Sequence, residues 1–287
     1  MHWLTYSIIS TVLLGISMSL YKLPAFRSYS SFISTVWTNA FSAALAVLGL
    51  VVFSHEHITT LSVVSWYAIA WGMLFAITMM LQKILLHDVE TNSVYPVTSS
   101  IGSVVTILIG LVLLSEHVSL LQTVGIVIML LSVFLYTRKG GSFPLNQKTT
   151  LLSTGIILSS AVSKYLLKIA AGHESVSHFM TWQYIGATIF ALVVACTFER
   201  GSLREVIKIQ KYWKGSALIA LFSVLGGYAI FMALSIGPLS GVYAVHPAYT
   251  IIAGLFGALF FREKLTSRKV LLAALSVAGI ILLKIGG

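Results

Sequence analysis

Leu120–Thr137, LLQTVGIVIMLLSVFLYT, runs into the connector Arg138–Thr150, RKGGSFPLNQKTT, and then into Leu151–Ala171, LLSTGIILSSAVSKYLLKIAA. Two apolar runs, one uncharged and one carrying two lysines, flank a basic segment that contains Gly140, Gly141 and Pro144. A hydrocarbon core of about 30 Å takes roughly 20 residues of helix to cross. Helix is the state these runs adopt, because they lack the period-two alternation of a barrel strand and because a helix satisfies its own backbone in lipid. The connector reads as the midpoint of the chain, dividing it into 1–141 and 142–287.

Working outward with the same ruler, further spans fall near Trp3–Tyr21, Ser31–Phe53, Ser62–Leu86, Ser93–Leu114, Phe179–Phe198, Gly215–Ile236, Gly241–Phe261 and Lys269–Leu283. The expectation is an all-α integral membrane protein of ten transmembrane helices. Composition agrees: 57% of the 287 residues are hydrophobic, 9% are charged and the mean hydropathy is +0.95. That leaves too little polar surface to solvate a globule of this size. The net charge of +10 sits in short segments between apolar runs. There it meets lipid headgroups and fixes orientation, and no nucleic-acid reader module accompanies it. Cys196 is the single cysteine, so neither an internal disulfide nor a zinc site is supported. Met1-His2-Trp3-Leu4 lacks the basic start of a signal peptide, and the first run reads as a retained span.

The two halves echo each other. Trp37 corresponds to Trp182, Lys22 to Lys168, Val94-Tyr95 to Val242-Tyr243 and Glu116 to Glu263, at separations of 145, 146, 148 and 147 residues. Five spans per half is an odd number, so the second half enters the membrane from the opposite side. The result is two inverted-topology repeats of five around a central cavity, a plan that puts a solute site near the midplane.

Over nearly its whole length the chain resembles the ten-helix EamA-type branch of the drug/metabolite transporter (DMT) superfamily. The resemblance rests on Ser115-Glu116-His117-Val118-Ser119 before span five and Arg262-Glu263-Lys264-Leu265-Thr266 before span ten. It rests also on Pro247, sixteen residues before Glu263, and on Ala233-Leu234-Ser235-Ile236-Gly237-Pro238 closing span eight. It implies export or exchange of amino acids and related metabolites through a cavity lined mainly by spans one, three, four, six, eight and nine, with spans five and ten as a supporting pair. Two departures are His117, where a small or basic residue is usual, and Asn39, where many members carry an arginine.

Fifteen Lys and Arg residues fall on the loops or span ends of one face. The other face carries Lys168 and Lys284, and Lys164 is embedded. The positive-inside rule then places both termini outside the cytoplasm, opposite to the usual orientation of the family.

All eight acidic residues lie in loops or at span ends. A lipophilic-cation pump working through an intramembrane carboxylate is therefore disfavoured. The embedded charge is Lys164, which either engages a substrate carboxylate or snorkels to a headgroup. Lys83 is a weaker candidate of the same kind. His246, before the helix-breaking Pro247, marks a cavity or a packed interface. Trp37 with Trp182 and Tyr95 with Tyr243 are repeat-related rings, and Asn39, Gln183 and Ser99 supply neutral hydrogen bonds. These ten residues form the candidate substrate site. His55 and His57 flank Glu56 in what reads as a solvated loop, so no metal and no cofactor is expected.

The expected function is a secondary transporter, an exporter or exchanger of a small polar metabolite such as an amino acid or related carboxylate, in the cytoplasmic membrane as a monomer or homodimer. An aromatic-cage carrier of a quaternary amine such as choline is the second reading. An intramembrane enzyme finds no H-E-x-x-H, paired aspartates or G-x-S-x-G to support it.

Overall fold

The computed structural model describes residues 2–27, 30–54, 63–89, 91–137, 146–173, 175–198, 209–261 and 267–286. Among them every regular element is helical. These are α1 (Trp3–Leu20), α2 (Ser31–Gly49), α3 (Val63–Asp88), α4 (Thr91–Leu113), α5 (Leu120–Thr137), α6 (Gln147–Ala171), α7 (Val176–Phe198), α8 (Ile209–Ile236), α9 in two pieces (Leu239–Val245 and Tyr249–Phe261) and α10 (Ser267–Gly286). A one-turn helix, Leu23–Phe26, follows α1, and a 3-10 turn, His246–Ala248, joins the pieces of α9. The expected repeat boundary and Glu263 lie outside the described residues, as do His55, Glu56 and His57.

Local sequence starts these helices where it should. Asn146, at the end of the basic connector, caps α6 through a reciprocal pair of bonds with Thr149. Ser30 accepts from Ile33 N at the start of α2. In α9, Pro247 lacks the amide that would continue the ladder, and the helix tightens there to a 3-10 turn before resuming.

Polarity is distributed as lipid requires. Leu120 is 82% exposed, Leu151 73% and Leu259 74%, whereas serines, threonines, Asn39, Gln82, Gln183 and Lys83 are buried. The buried hydroxyls mostly bond back to their own helix, as Thr11 to Ser7 O, Thr38 to Ser34 O and Thr106 to Gly102 O. Among the described residues seven helices are long and apolar enough to cross a membrane, and Ile101–Leu113 and Leu120–Ser132 are shorter apolar segments of α4 and α5.

The packing obeys an exchange symmetry. α1 packs on α8 as α6 packs on α3; α3 packs on α7 as α8 packs on α2; α1 packs on α9 as α6 packs on α4. The remaining large contacts, α2 with α7, α4 with α9 and α5 with α10, pair each helix with its own counterpart. Self-paired helices run antiparallel: Phe32 at the start of α2 stacks on Phe198 at the end of α7, and Gly110 near the end of α4 meets Ser240 at the start of α9. A two-fold that maps α1–α5 onto α6–α10 therefore reverses chain direction, and the repeats are inverted. Individual contacts repeat too. The Tyr95 hydroxyl donates to Met18 O at 2.6 Å, and in the other half Tyr243 lies against Lys164, the residue 146 positions after Met18.

Glycines set the closest approaches. A Cβ on Gly72 of α3 would collide with the Gln183 carbonyl of α7, and one on Gly186 of α7 would press on Ile69 of α3. Gly72→Ala is expected to lower stability in detergent by about 1–3 kcal/mol, the scale of overpacking. Gly172→Ala, where a Cβ meets only the Ile169 carbonyl at 3.7 Å, serves as the near-neutral control in the same thermal melt.

Candidate functional site

The site is a central cavity of about 100 Å³, bounded by α1, α3, α4, α6, α8 and α9 with Tyr184 of α7. Among the described residues α2, α5 and α10 contribute none to the lining. α5 and α10 instead pack on each other, where Gly279 lies against the Gly125 carbonyl and Met129.

One wall is a row of rings closing on a cation. Tyr95 meets Tyr249 at 6.0 Å between centroids, Tyr249 meets His246 at 4.9 Å, and His246 meets Tyr243 at 5.4 Å. Lys164 Nζ then sits 4.9 Å above the Tyr243 ring, within cation–π range. Gly102 of α4 faces the ammonium, 3.9 Å from where its Cβ would be. The proline turn in α9 permits this row, because it carries Tyr243, His246 and Tyr249 onto the cavity together. Elsewhere in the lining Trp71 stacks on Phe75 at 5.0 Å and Phe75 meets Tyr184 edge-on at 6.1 Å. The Trp71 Nε1 donor is buried without a partner. Thr78, Gln82, Ser99, Ser160, Ser163 and Ser223 supply neutral polar groups, and among the described residues no Asp or Glu lines the cavity.

Of the ten expected site residues, Lys164, His246, Tyr243 and Ser99 meet here. Tyr95 stands one ring behind them. Lys83 is fully buried outside the cavity, donating to Ser34 Oγ at 3.1 Å and Thr38 Oγ1 at 3.3 Å of α2, with the Tyr21 ring 5.5 Å away. It is therefore enclosed by protein near the end of its span and does not reach out to a headgroup. Trp37 lies beside Phe41 of its own helix, and Trp182 donates to His178 Nε2 at 3.1 Å. Asn39 donates to Thr35 O, and Gln183 is buried at the α3–α7 crossing. None of these four lines the cavity. His178, buried in the first turn of α7, is a further histidine within a span. Tyr21, Trp71, Phe75, Gln82, Tyr184 and Tyr249 are cavity residues outside the expected set. The readable signal for several was a stripe on α3, where Trp71, Phe75, Thr78 and Gln82 recur at helical spacing.

Two further polar side chains hold the corner between α8 and α9. Glu116 Oε1 and Oε2 accept from Leu239 N at 2.6 Å and Ser240 N at 2.8 Å, capping α9. Lys168 Nζ donates to Leu234 O and Gly237 O, both at 2.8 Å, at the end of α8. Ser115, at φ 50°, turns the chain out of α4 so that both Leu114 N and Glu116 N reach Gly110 O, and Gly110 leaves room for the carboxylate.

Residues 148–285 match the EamA-like transporter family. That match covers the second half of the chain. A solved crystal structure of a protein 12% identical in sequence superposes with a TM-score of 0.75, over 98% of this chain and 96% of its own. At that identity the likeness carries the fold alone, and it extends across both halves. No curated protein matches the sequence. The chain is thus a multi-pass membrane protein whose second half is similar to the EamA-like transporters, and its cavity is bounded by the helices that the EamA-type resemblance implied.

Glu116→Ala removes both caps of α9. It is expected to lower the melting free energy in detergent by about 1.5–3 kcal/mol, the scale of hydrogen bonds to a charged group, while Glu116→Gln, which keeps one acceptor, loses less.

Proposed function

We propose that this EamA-like protein is a secondary transporter of a small organic anion, an amino acid or related carboxylate, working by alternating access between its two repeats, 1–141 and 142–287. The observation that carries the reading is Lys164, an ammonium at the wall of a ringed cavity that, among the described residues, no carboxylate lines. An ionisable group at membrane depth is costly unless it serves a pathway or finds a partner. A substrate carboxylate supplies that partner through charge-assisted hydrogen bonds. The organic part of the cargo then lies against Trp71, Phe75 and Tyr184, and Ser99, Ser163 and the Trp71 indole supply neutral contacts. Ten expected residues reduce in this reading to Lys164, His246, Tyr243 and Ser99 in direct contact, with Tyr95 supporting them from behind.

Transport is by export or exchange across the cytoplasmic membrane, with both termini outside the cytoplasm on the strength of the charge asymmetry. The protein acts as a monomer or homodimer.

A second reading is favoured by one observation: six rings, Tyr21, Trp71, Phe75, Tyr184, Tyr243 and Tyr249, line the same space. Such a cage suits a quaternary amine. Against it, the face of Tyr243 is already taken by Lys164, whose charge repels a cationic guest.

The test is uptake of labelled amino acids, phosphorylated sugars and choline into proteoliposomes. The anionic cargo is expected to move, and Lys164→Ala to slow it by about tenfold or more, the worth of a hydrogen bond to a charged group, with Lys164→Arg retaining more than Lys164→Ala. Choline transport without anion transport, with Lys164→Ala silent, would sink the anion reading.

A further inference from the structure

A second cavity, of about 240 Å³, opens where α1 ends and α8 begins. It is lined by the turn after α1, the start of α2, the first turns of α8 and Phe260 of α9, and Arg27 and Lys214 are among its walls. Both α1 and α8 run continuously from one cavity to the other. On α1, Tyr21 lines the central cavity and the adjacent Leu20 the second. On α8, Ser223 lines the central cavity and Ile219, one turn away, the second.

Lys83 stands at this divide. Its ammonium donates to Ser34 Oγ, and Ser34 lines the second cavity; it also faces the Tyr21 ring, and Tyr21 lines the central one. Lys83 is itself fully buried, and its partners are two hydroxyls and a ring. Among the described residues no carboxylate forms an ion pair with it. A lysine so placed at membrane depth is a functional candidate by default. With Arg27 and Lys214 at the outer opening and Lys164 inside, the chain offers cations at three successive depths, and among the described residues neither cavity has an acidic lining residue.

We infer that the second cavity is the vestibule of the transport path on this face, and that Lys83 is the station at which an anionic substrate pauses between vestibule and central cavity. The inference rests on the anionic-cargo reading. During passage Lys83 exchanges the Ser34 and Thr38 hydroxyls for the substrate's anion, and Tyr21 swings aside as the gate between the two spaces. Arg27 and Lys214 raise the local concentration of anions at the mouth.

The path is read without knowing the cargo, by cysteine labelling in a Cys196→Ser background. Leu218→Cys reports on the vestibule and Ser223→Cys on the central cavity. Each is exposed, in right-side-out and in inverted vesicles, to an anionic sulfonatoethyl and a cationic trimethylammonioethyl methanethiosulfonate. Both positions are expected to label from the face bearing Arg27, the anionic reagent reacting about tenfold faster or more. Lys83→Gln is expected to abolish that preference at Ser223→Cys and preserve it at Leu218→Cys. Labelling of Ser223→Cys from the opposite face alone would overturn the vestibule, and an unchanged preference in Lys83→Gln would overturn the station. Choline uptake with the anionic labelling preference intact would sink the cargo reading and support the path.

Discussion

Between α8 and α9 the chain turns from one membrane span into the next, and the site depends on how the ends of those two helices are satisfied. The last carbonyls of one helix and the first amides of the next have no partner within their own helices, and leaving them buried without one is costly. Lys168 takes the carbonyls of Leu234 and Gly237 at the end of one helix, and Glu116 takes the amides of Leu239 and Ser240 at the start of the next. One cation and one anion, from α6 and from the loop after α4, neutralise the two helix ends they complement by charge. Trp3 packs on Gly237 and Gly241 from outside. With the corner held, the first piece of α9 and its proline turn can present Tyr243, His246 and Tyr249 to the cavity.

Symmetry builds the cavity and asymmetry gives it a sign. The exchange of halves places equivalent helices around it, and the supporting helices α5 and α10 pair away from it. Yet the position that is Met18 in the first repeat is Lys164 in the second, and the partner tyrosines differ accordingly: Tyr95 bonds a carbonyl, Tyr243 underlies an ammonium. A thioether and a cation at equivalent places make opposite walls of one site chemically unlike. A solute with an anionic end and an apolar body can thereby bind in one orientation.

Much of this was legible in the sequence, and for a physical reason: apolar run length reports what crosses the bilayer, and a shared offset reports duplication. Lys164 and His246 were legible because charge and proline are rare at depth. What hydropathy does not carry is rotation about the helix axis, which packing decides. Trp37 and Trp182 are repeat-related because α2 and α7 are, but those helices pack on each other and their tryptophans miss the cavity. Asn39 turned to its own backbone and Gln183 to a helix crossing. Lys83 lay near a span end by count, where snorkelling is the ordinary outcome; the fold instead buries it on α2. The α3 stripe shows the route to the ring wall, which is helical spacing within a span in place of matching between halves.

The central claim is that Lys164 receives the negative end of the cargo inside a cavity of rings. A structure of the protein with a transported carboxylate bound tests it most directly. The account predicts the carboxylate about 3 Å from Lys164 Nζ, as a charge-assisted hydrogen bond requires, with the organic body against Trp71 and Phe75. A ligand whose anion points away from Lys164, or a quaternary ammonium seated over Tyr243 with the lysine displaced, would contradict it.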